Sequence, residues 1–184
     1  GRELITALTA GMEIACRLGI YMNRRIADEV MGGWDYIFLL GIFSAAAIAS
    51  KLMGLNEEQI QNALGIAYGR AGGSKELVIE PGALRGLYAM YPNMTGVLSA
   101  LLARNGVPGL KETFEGKAGF FNMYYAGVFD ESAFDGLGDR FEGEGVSIKP
   151  WPCCRFTNSH VDAALQIAQK EHVDPRSISR ITLY

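Results

Sequence analysis

Residues that could hold an acidic small molecule gather in one stretch, Lys149-Pro150-Trp151-Pro152-Cys153-Cys154-Arg155-Phe156-Thr157-Asn158-Ser159-His160. The stretch leaves a strand-like run, Val146 to Ile148, and enters a helical pattern. Its residues therefore stand near a helix N-terminus, where unpaired backbone N–H groups favour an anion. Lys149 and Arg155 bring charge, Asn158 and His160 bring hydrogen-bonding groups, and two prolines stiffen the backbone. This chemistry suits a carboxylate. The plainer reading is a surface loop with Thr157 or Asn158 as N-cap.

A second group is Ala83-Leu84-Arg85-Gly86-Leu87-Tyr88-Ala89. Arg85 can hold a carboxylate through two parallel hydrogen bonds. Tyr88, three residues on, shares its face if the segment is helical. The alternative is a solvated Arg and a packed Tyr. The third group is Gly33-Trp34-Asp35, at the mouth of an apolar helix. Asp35 can serve as a base, or simply as the cap that a helix start favours. The glycine patterns of phosphate and dinucleotide loops, the nucleophile elbow and the paired-histidine zinc motif do not occur. Gly69-Arg70-Ala71-Gly72-Gly73 is Gly-rich but follows a helix, which gives it little weight as a phosphate cradle. Cys16, Cys153 and Cys154 have neither zinc nor iron–sulfur spacing and read as reduced thiols, so neither metal nor cofactor is expected.

The elements that must position these groups are mostly helical. Tyr36 to Leu55 is the most apolar run and is uncharged from Tyr36 to Ala49. It is too short for a membrane span of about 20 residues and reads as a buried helix. Ala, Ser and Gly41 in it let neighbouring backbones approach closely. Before it, Leu4, Ile5, Leu8, Met12, Ala15, Cys16 and Leu18 recur at helical spacing, which predicts a helix from about Glu3 to Leu18 with Gly19 as C-cap. After it, Asn56 and Gln59 have capping-box spacing at the head of another helix. Leu77-Val78-Ile79 reads as a short extended piece. A helix from about Arg85 to Asn105 is kinked by Pro92 or begins near it. Asp130 to Gly145 reads as a connection between lobes. Beyond it come a short strand at Val146 and Ile148, a helix from Thr157 to Lys170 with Val161, Ala164, Leu165 and Ala168 inward, and a last strand, Ser179 to Tyr184. The expected fold is mainly α: an all-helical domain over residues 1–142, then the opening of an α+β lid over 143–184.

The 184 residues are 49% hydrophobic and 20% charged, with a net charge of -3, a globular composition with no electrostatic call for nucleic acid. No secretory signal or initiating Met opens the chain, and its last run has nothing after it to pair with, so it reads as a piece of a longer protein.

Four blocks in order, GIFSAAAIASKLMGLNEEQIQNALGIA, TGVLSALLARNGVPG, FEGKAGFF and IKPWPCCRFTNSHVDAAL, resemble the MmgE/PrpD family. That family includes 2-methylcitrate dehydratase of propionate metabolism, cis-aconitate decarboxylase and iminodisuccinate epimerase. The resemblance implies a cytoplasmic, metal-independent homodimer with its site in a cleft between a helical domain and a lid. It implies a hydro-lyase most like 2-methylcitrate dehydratase, acting on a small polycarboxylate. An isomerase, epimerase or decarboxylase of a related acid is the alternative, as is a non-catalytic homologue. Lys149 matches the family's lid lysine before the Pro-Cys segment. Arg85 stands at a family Lys, and Tyr88 and Asp35 stand at family His positions. Asn158 falls where a His often occurs, with His160 two positions on. The resemblance thus implies Asp35, Tyr88 and Lys149 for catalysis, and Arg85, Lys149, Arg155, Asn158 and His160 for substrate.

Overall fold

In a computed structural model of the chain, the described residues are 1–25, 33–80, 82, 87–125, 127 and 131–183. Seven α-helices form among them. They are α1 (Arg2–Arg25), α2 (Tyr36–Leu52), α3 (Glu57–Tyr68), the single turn α4 (Glu76–Ile79), α5 (Met90–Arg104), α6 (Phe120–Tyr124) and α7 (Arg155–Glu171). The chain divides into two units, Gly1–Glu144 and Gly145–Tyr184.

The first unit is built on α2, which packs against α1, α3 and α5. Asp35 caps its start and Met53 closes its end. Phe38, Leu39, Leu40, Ile42 and Phe43 are buried, as are Ala45, Ala46 and Ala49. Burying apolar residues around most of one helix makes it an interior post, because each large side chain gains about 1.5–3 kcal/mol when fully buried. Small residues set how close its neighbours come. A Cβ at Gly96 of α5 would stand 2.5 Å from Ala45 Cβ and 2.6 Å from the Ala46 nitrogen. One at Gly11 of α1 would stand 2.8 Å from the Ser44 carbonyl oxygen.

Turn chemistry carries the chain onward. Asn56 and Gln59 form a reciprocal capping box at the head of α3, each side chain bonding the other's backbone N–H. Pro92 falls in the first turn of α5, where its missing N–H is tolerated. The described helix that holds Pro92 starts at Met90, and Arg85, the expected start of that helix, lies outside the described residues. Leu77-Val78-Ile79 belongs to the turn of α4 rather than to an extended piece. Asn62 Oδ1 accepts from the Gly109 N–H at 3.0 Å and from Lys111 Nζ at 2.9 Å, fastening the loop after α5 to α3. Phe43 meets Phe114 and Phe120 at ring-centre distances of 5.0 and 5.1 Å, and Phe120 meets Tyr125 at 5.2 Å.

The first helix differs from its expected form. It continues past Gly19 to Arg25. Gly19 is no cap: it lies inside the helix and faces Leu40 of α2. The apolar residues Leu4, Ile5, Leu8 and Met12 are exposed, and the buried side carries Ala7, Glu13, Arg17 and Leu18 instead. Along the first half of the helix only small residues, Ala7 and Gly11, are apolar and buried, because α2 lies too close for large ones.

Arg17 explains the buried charge. Its Nε donates to Glu13 Oε1 at 2.6 Å. Its terminal nitrogens donate to the carbonyls of Ala133, Asp135, Gly136 and Arg140 at 2.8–3.3 Å. All five guanidinium hydrogens are thereby used. Glu13 Oε2 accepts from the backbone N–H groups of Glu142 and Gly143. The pair holds the segment from Ala133 to Gly143, expected to be a mere connection, against α1. Burial first, and then the Glu13 and Glu142 carboxylates, raise the Cys16 thiol above its ordinary range.

In the second unit α7 starts at Arg155, two residues before its expected start, and runs to Glu171. No strand forms among the described residues; Val146 to Ile148 and Ser179 to Leu183 carry no regular structure. Strands need partners, and this unit contains only α7 and the 3-10 turn Pro175–Ser177 among its described residues. Ala164, Leu165 and Ala168, expected inward, are exposed for the same reason, and Val161 is half-buried.

Arg17→Ala should destabilise the fold by about 3–5 kcal/mol, because Glu13 would remain buried without its partner. Arg17→Lys should restore little, since one ammonium cannot replace a five-donor fork. Urea unfolding midpoints of both variants check this. Gly96→Val should cost about 1–3 kcal/mol by forcing α5 off α2, read as a lowered thermal midpoint by circular dichroism.

Candidate functional site

Asp35 stands at the corner where α2 begins, and Tyr88 packs against Phe38 of that helix. Asp35 is nearly buried, and its Oδ1 accepts the Ile37 N–H at 2.8 Å. One carboxylate oxygen is thus committed to capping. Tyr88 is half-buried and lies 6.0 Å, ring to ring, from Phe38, one turn into the same helix. Tyr91 stacks on that ring at 6.5 Å.

The backbone of Asp35 is clamped by the Gly-rich stretch that follows α3, a stretch of little weight as a phosphate cradle. The Asp35 N–H donates to the Gly73 carbonyl at 3.0 Å, and the Lys75 N–H donates to the Gly33 carbonyl at 2.7 Å. Trp34 and Ser74 thereby form an antiparallel bridge. Gly73 is required here. Its φ is +153, and a Cβ would meet Phe38 Cβ at 2.6 Å. The clamp brings an exposed lysine, Lys75, to the corner. Sequence reasoning misses Lys75, and the only signal for it is the glycine pair just before it.

Aromatic groups close the inner side. Trp34 stands edge-on to Tyr124 at 5.2 Å, and the Tyr124 hydroxyl donates to the Ala71 carbonyl at 2.9 Å. Burial pushes the Tyr124 phenol up, and burial followed by the nearby Tyr124 does the same to Tyr68. Both phenols therefore stay protonated near neutral pH. The corner offers a carboxylate with one oxygen committed to capping, and an exposed lysine on the stretch paired with its backbone.

In the second unit, Lys149 is exposed and Arg155 is the first residue of α7, also exposed. The N-cap is Cys154, which gives no side-chain cap bond. Neither Thr157 nor Asn158 caps the helix as expected, because both lie inside its first turn. Thr157 Oγ1 donates back to the Cys154 carbonyl at 2.7 Å, and Asn158 Oδ1 takes the Cys153 thiol hydrogen at 3.0 Å. His160 Nδ1 is 3.1 Å from the Phe156 carbonyl. A carbonyl can only accept, so Nδ1 is the donor in this contact. The helix thus opens with a first turn that no side chain caps, with Lys149 and Arg155 close in sequence.

Arg85 lies outside the described residues. Among those described, no group of three His, Cys, Asp or Glu could hold a metal ion. No helix among them is long and apolar enough to cross a membrane.

Comparison with known proteins agrees with the helical architecture. The family profile of the MmgE/PrpD N-terminal domain matches residues 1–131. A cis-aconitate decarboxylase-like protein of Aspergillus oryzae is 28% identical over 188 residues, covering 98% of this chain and 38% of that protein. The cis-aconitate decarboxylase of Aspergillus terreus is 28% identical over 172 residues, covering 89% of this chain and 34% of the relative. The human cis-aconitate decarboxylase is 26% identical over 172 residues, covering 91% and 34%. This chain therefore spans little more than a third of the length of those relatives, and it belongs to the MmgE/PrpD family.

Proposed function

We propose that this chain forms part of a lyase acting on a small polycarboxylate. The observation that supports this most is the first turn of α7, which no side chain caps, with Arg155 as its first residue and Lys149 exposed a few residues before it in sequence. The N–H end of a helix and two cations suit a carboxylate that must be held while another part of the substrate reacts. Arg85 is proposed as a further carboxylate holder, with Asn158 and His160 as hydrogen-bonding groups. Asp35 and Tyr88 are proposed to move the proton.

Two reactions share these needs. In decarboxylation, the bond to one carboxylate breaks, carbon dioxide leaves, and the electron pair ends on a carbon that takes a proton from an acid. In elimination, a base takes the proton beside a carboxylate and an acid protonates the departing hydroxyl. The names of the similar proteins favour decarboxylation of a cis-aconitate-like acid. The water elimination of a 2-methylcitrate dehydratase is the second reading. Full-length protein offered cis-aconitate and 2-methylcitrate separately decides between them: carbon dioxide release supports the first, and loss of the hydroxyl with a new alkene supports the second. Turnover of neither overturns the lyase reading. A cytoplasmic homodimer is also proposed; sedimentation of the full-length protein at twice its chain mass would bear out the dimer.

Lys149→Ala should lower kcat/KM by about 100-fold or more, the usual loss of a charge-stabilising donor. An unchanged kcat/KM overturns its role. Asp35→Asn separates capping from proton transfer, because Asn caps a helix about as well as Asp. Thermal stability should hold while kcat falls by about 10²–10⁴. If kcat also holds, Asp35 is a cap and nothing more.

A further inference from the structure

A cavity of about 420 Å³ lies in the first unit and differs in character from the anion-seeking groups above. Its walls come from α1, α3, the segment around Phe114 to Phe121 and the turn from Glu131 to Leu137. That volume falls in the usual range for small-ligand sites, roughly 300–1,000 Å³. The interior is apolar, with Leu18, Leu64, Phe114, Phe121 and Phe134 in the lining. An apolar lining gives water too few partners to hold it firmly.

The exposed charges in this lining have one sign. Glu115 and Glu131 belong to it and are exposed. Arg17 also contributes to the wall, but all its donors are used on Glu13 and four carbonyls. Its charge is matched by the Glu13 carboxylate. A bound anion would find no free donor on Arg17 and two carboxylates nearby. A cation would meet those carboxylates beside an apolar lining that includes three phenyl rings. Arg17 also fastens the turn that forms the outer wall, so the cavity is braced rather than a chance gap.

From this charge complementarity we infer that the cavity is a binding site for a small organic ammonium ion with an aromatic or aliphatic body. The apolar body fills the space between α1 and α3, and the ammonium lies toward Glu115 and Glu131.

Isothermal titration of the protein with three probes of similar shape tests this: 2-phenylethylammonium, neutral 2-phenylethanol and anionic 3-phenylpropionate. The ammonium should bind about tenfold more tightly than the alcohol, and the carboxylate should bind most weakly. The double variant Glu115→Gln/Glu131→Gln alters only exposed side chains and should keep the thermal midpoint. It should bring the ammonium down to the affinity of the alcohol. Leu64→Trp, which fills the space, should abolish binding of all three. The inference is overturned if the alcohol or the carboxylate binds as tightly as the ammonium. It is equally overturned if no probe binds saturably at millimolar concentration, or if the double variant leaves the ammonium's advantage intact.

Discussion

The first unit depends on one buried ion pair. Glu13 and Arg17 lie four residues apart on α1, so their side chains meet on one face. Taking both charges out of water is costly, and the pair alone would add little stability. What offsets the cost is the complete use of both groups on backbone. The guanidinium gathers four carbonyls, and the carboxylate gathers two N–H groups, all from a segment more than 100 residues away in sequence. Ala133 and Phe134 of that segment pack against the core, but Asp135 to Arg140 is exposed and gains little from burial. The ion pair fixes it, and so also fixes the outer wall of the cavity beside α1 and α3.

A second constraint is closeness. Gly11 of α1 meets Ser44 and Ile48 of α2, and Gly96 of α5 meets Ala45 and Ala46, while Gly41 of α2 faces Pro92 of α5. Backbones that approach this closely leave no room for large side chains, so the apolar bulk of α1 is displaced outward. The aromatic residues do the complementary work at the other side of α2. There Phe43 packs on Phe114 and Phe120, and Phe120 packs on Tyr125.

At the corner where α2 begins, Asp35 has a structural role as the helix cap beside the chemical one proposed for it. Asp35 is held by its backbone to Gly73 and by one oxygen to the helix it caps. Holding a carboxylate from both sides orients its remaining oxygen, which a catalytic base needs as much as a cap does. The start of α7 follows the opposite logic. Its polar side chains turn back to local carbonyls and a thiol, and no side chain caps the first turn.

Elements whose signals are local can be read along the chain. The apolar run of α2, the Asp35 cap, the Asn56–Gln59 box and the position of Pro92 each depend on a few neighbouring residues, so the residues alone reveal them. The polar cluster from Lys149 to His160 is legible as a composition, and the family resemblance supplies roles for its members. Which face of α1 lies inside is a matter of packing, because periodicity records apolar residues and is blind to the gap available to them. The bridge by which Gly73 clamps Asp35 and brings Lys75 to the same corner joins stretches some forty residues apart, so no local pattern announces it. The anchoring of Ala133 to Gly143 by Arg17 is likewise a product of the folded chain, because a charged residue inside a helix reads as solvated until its distant carbonyl partners are seen.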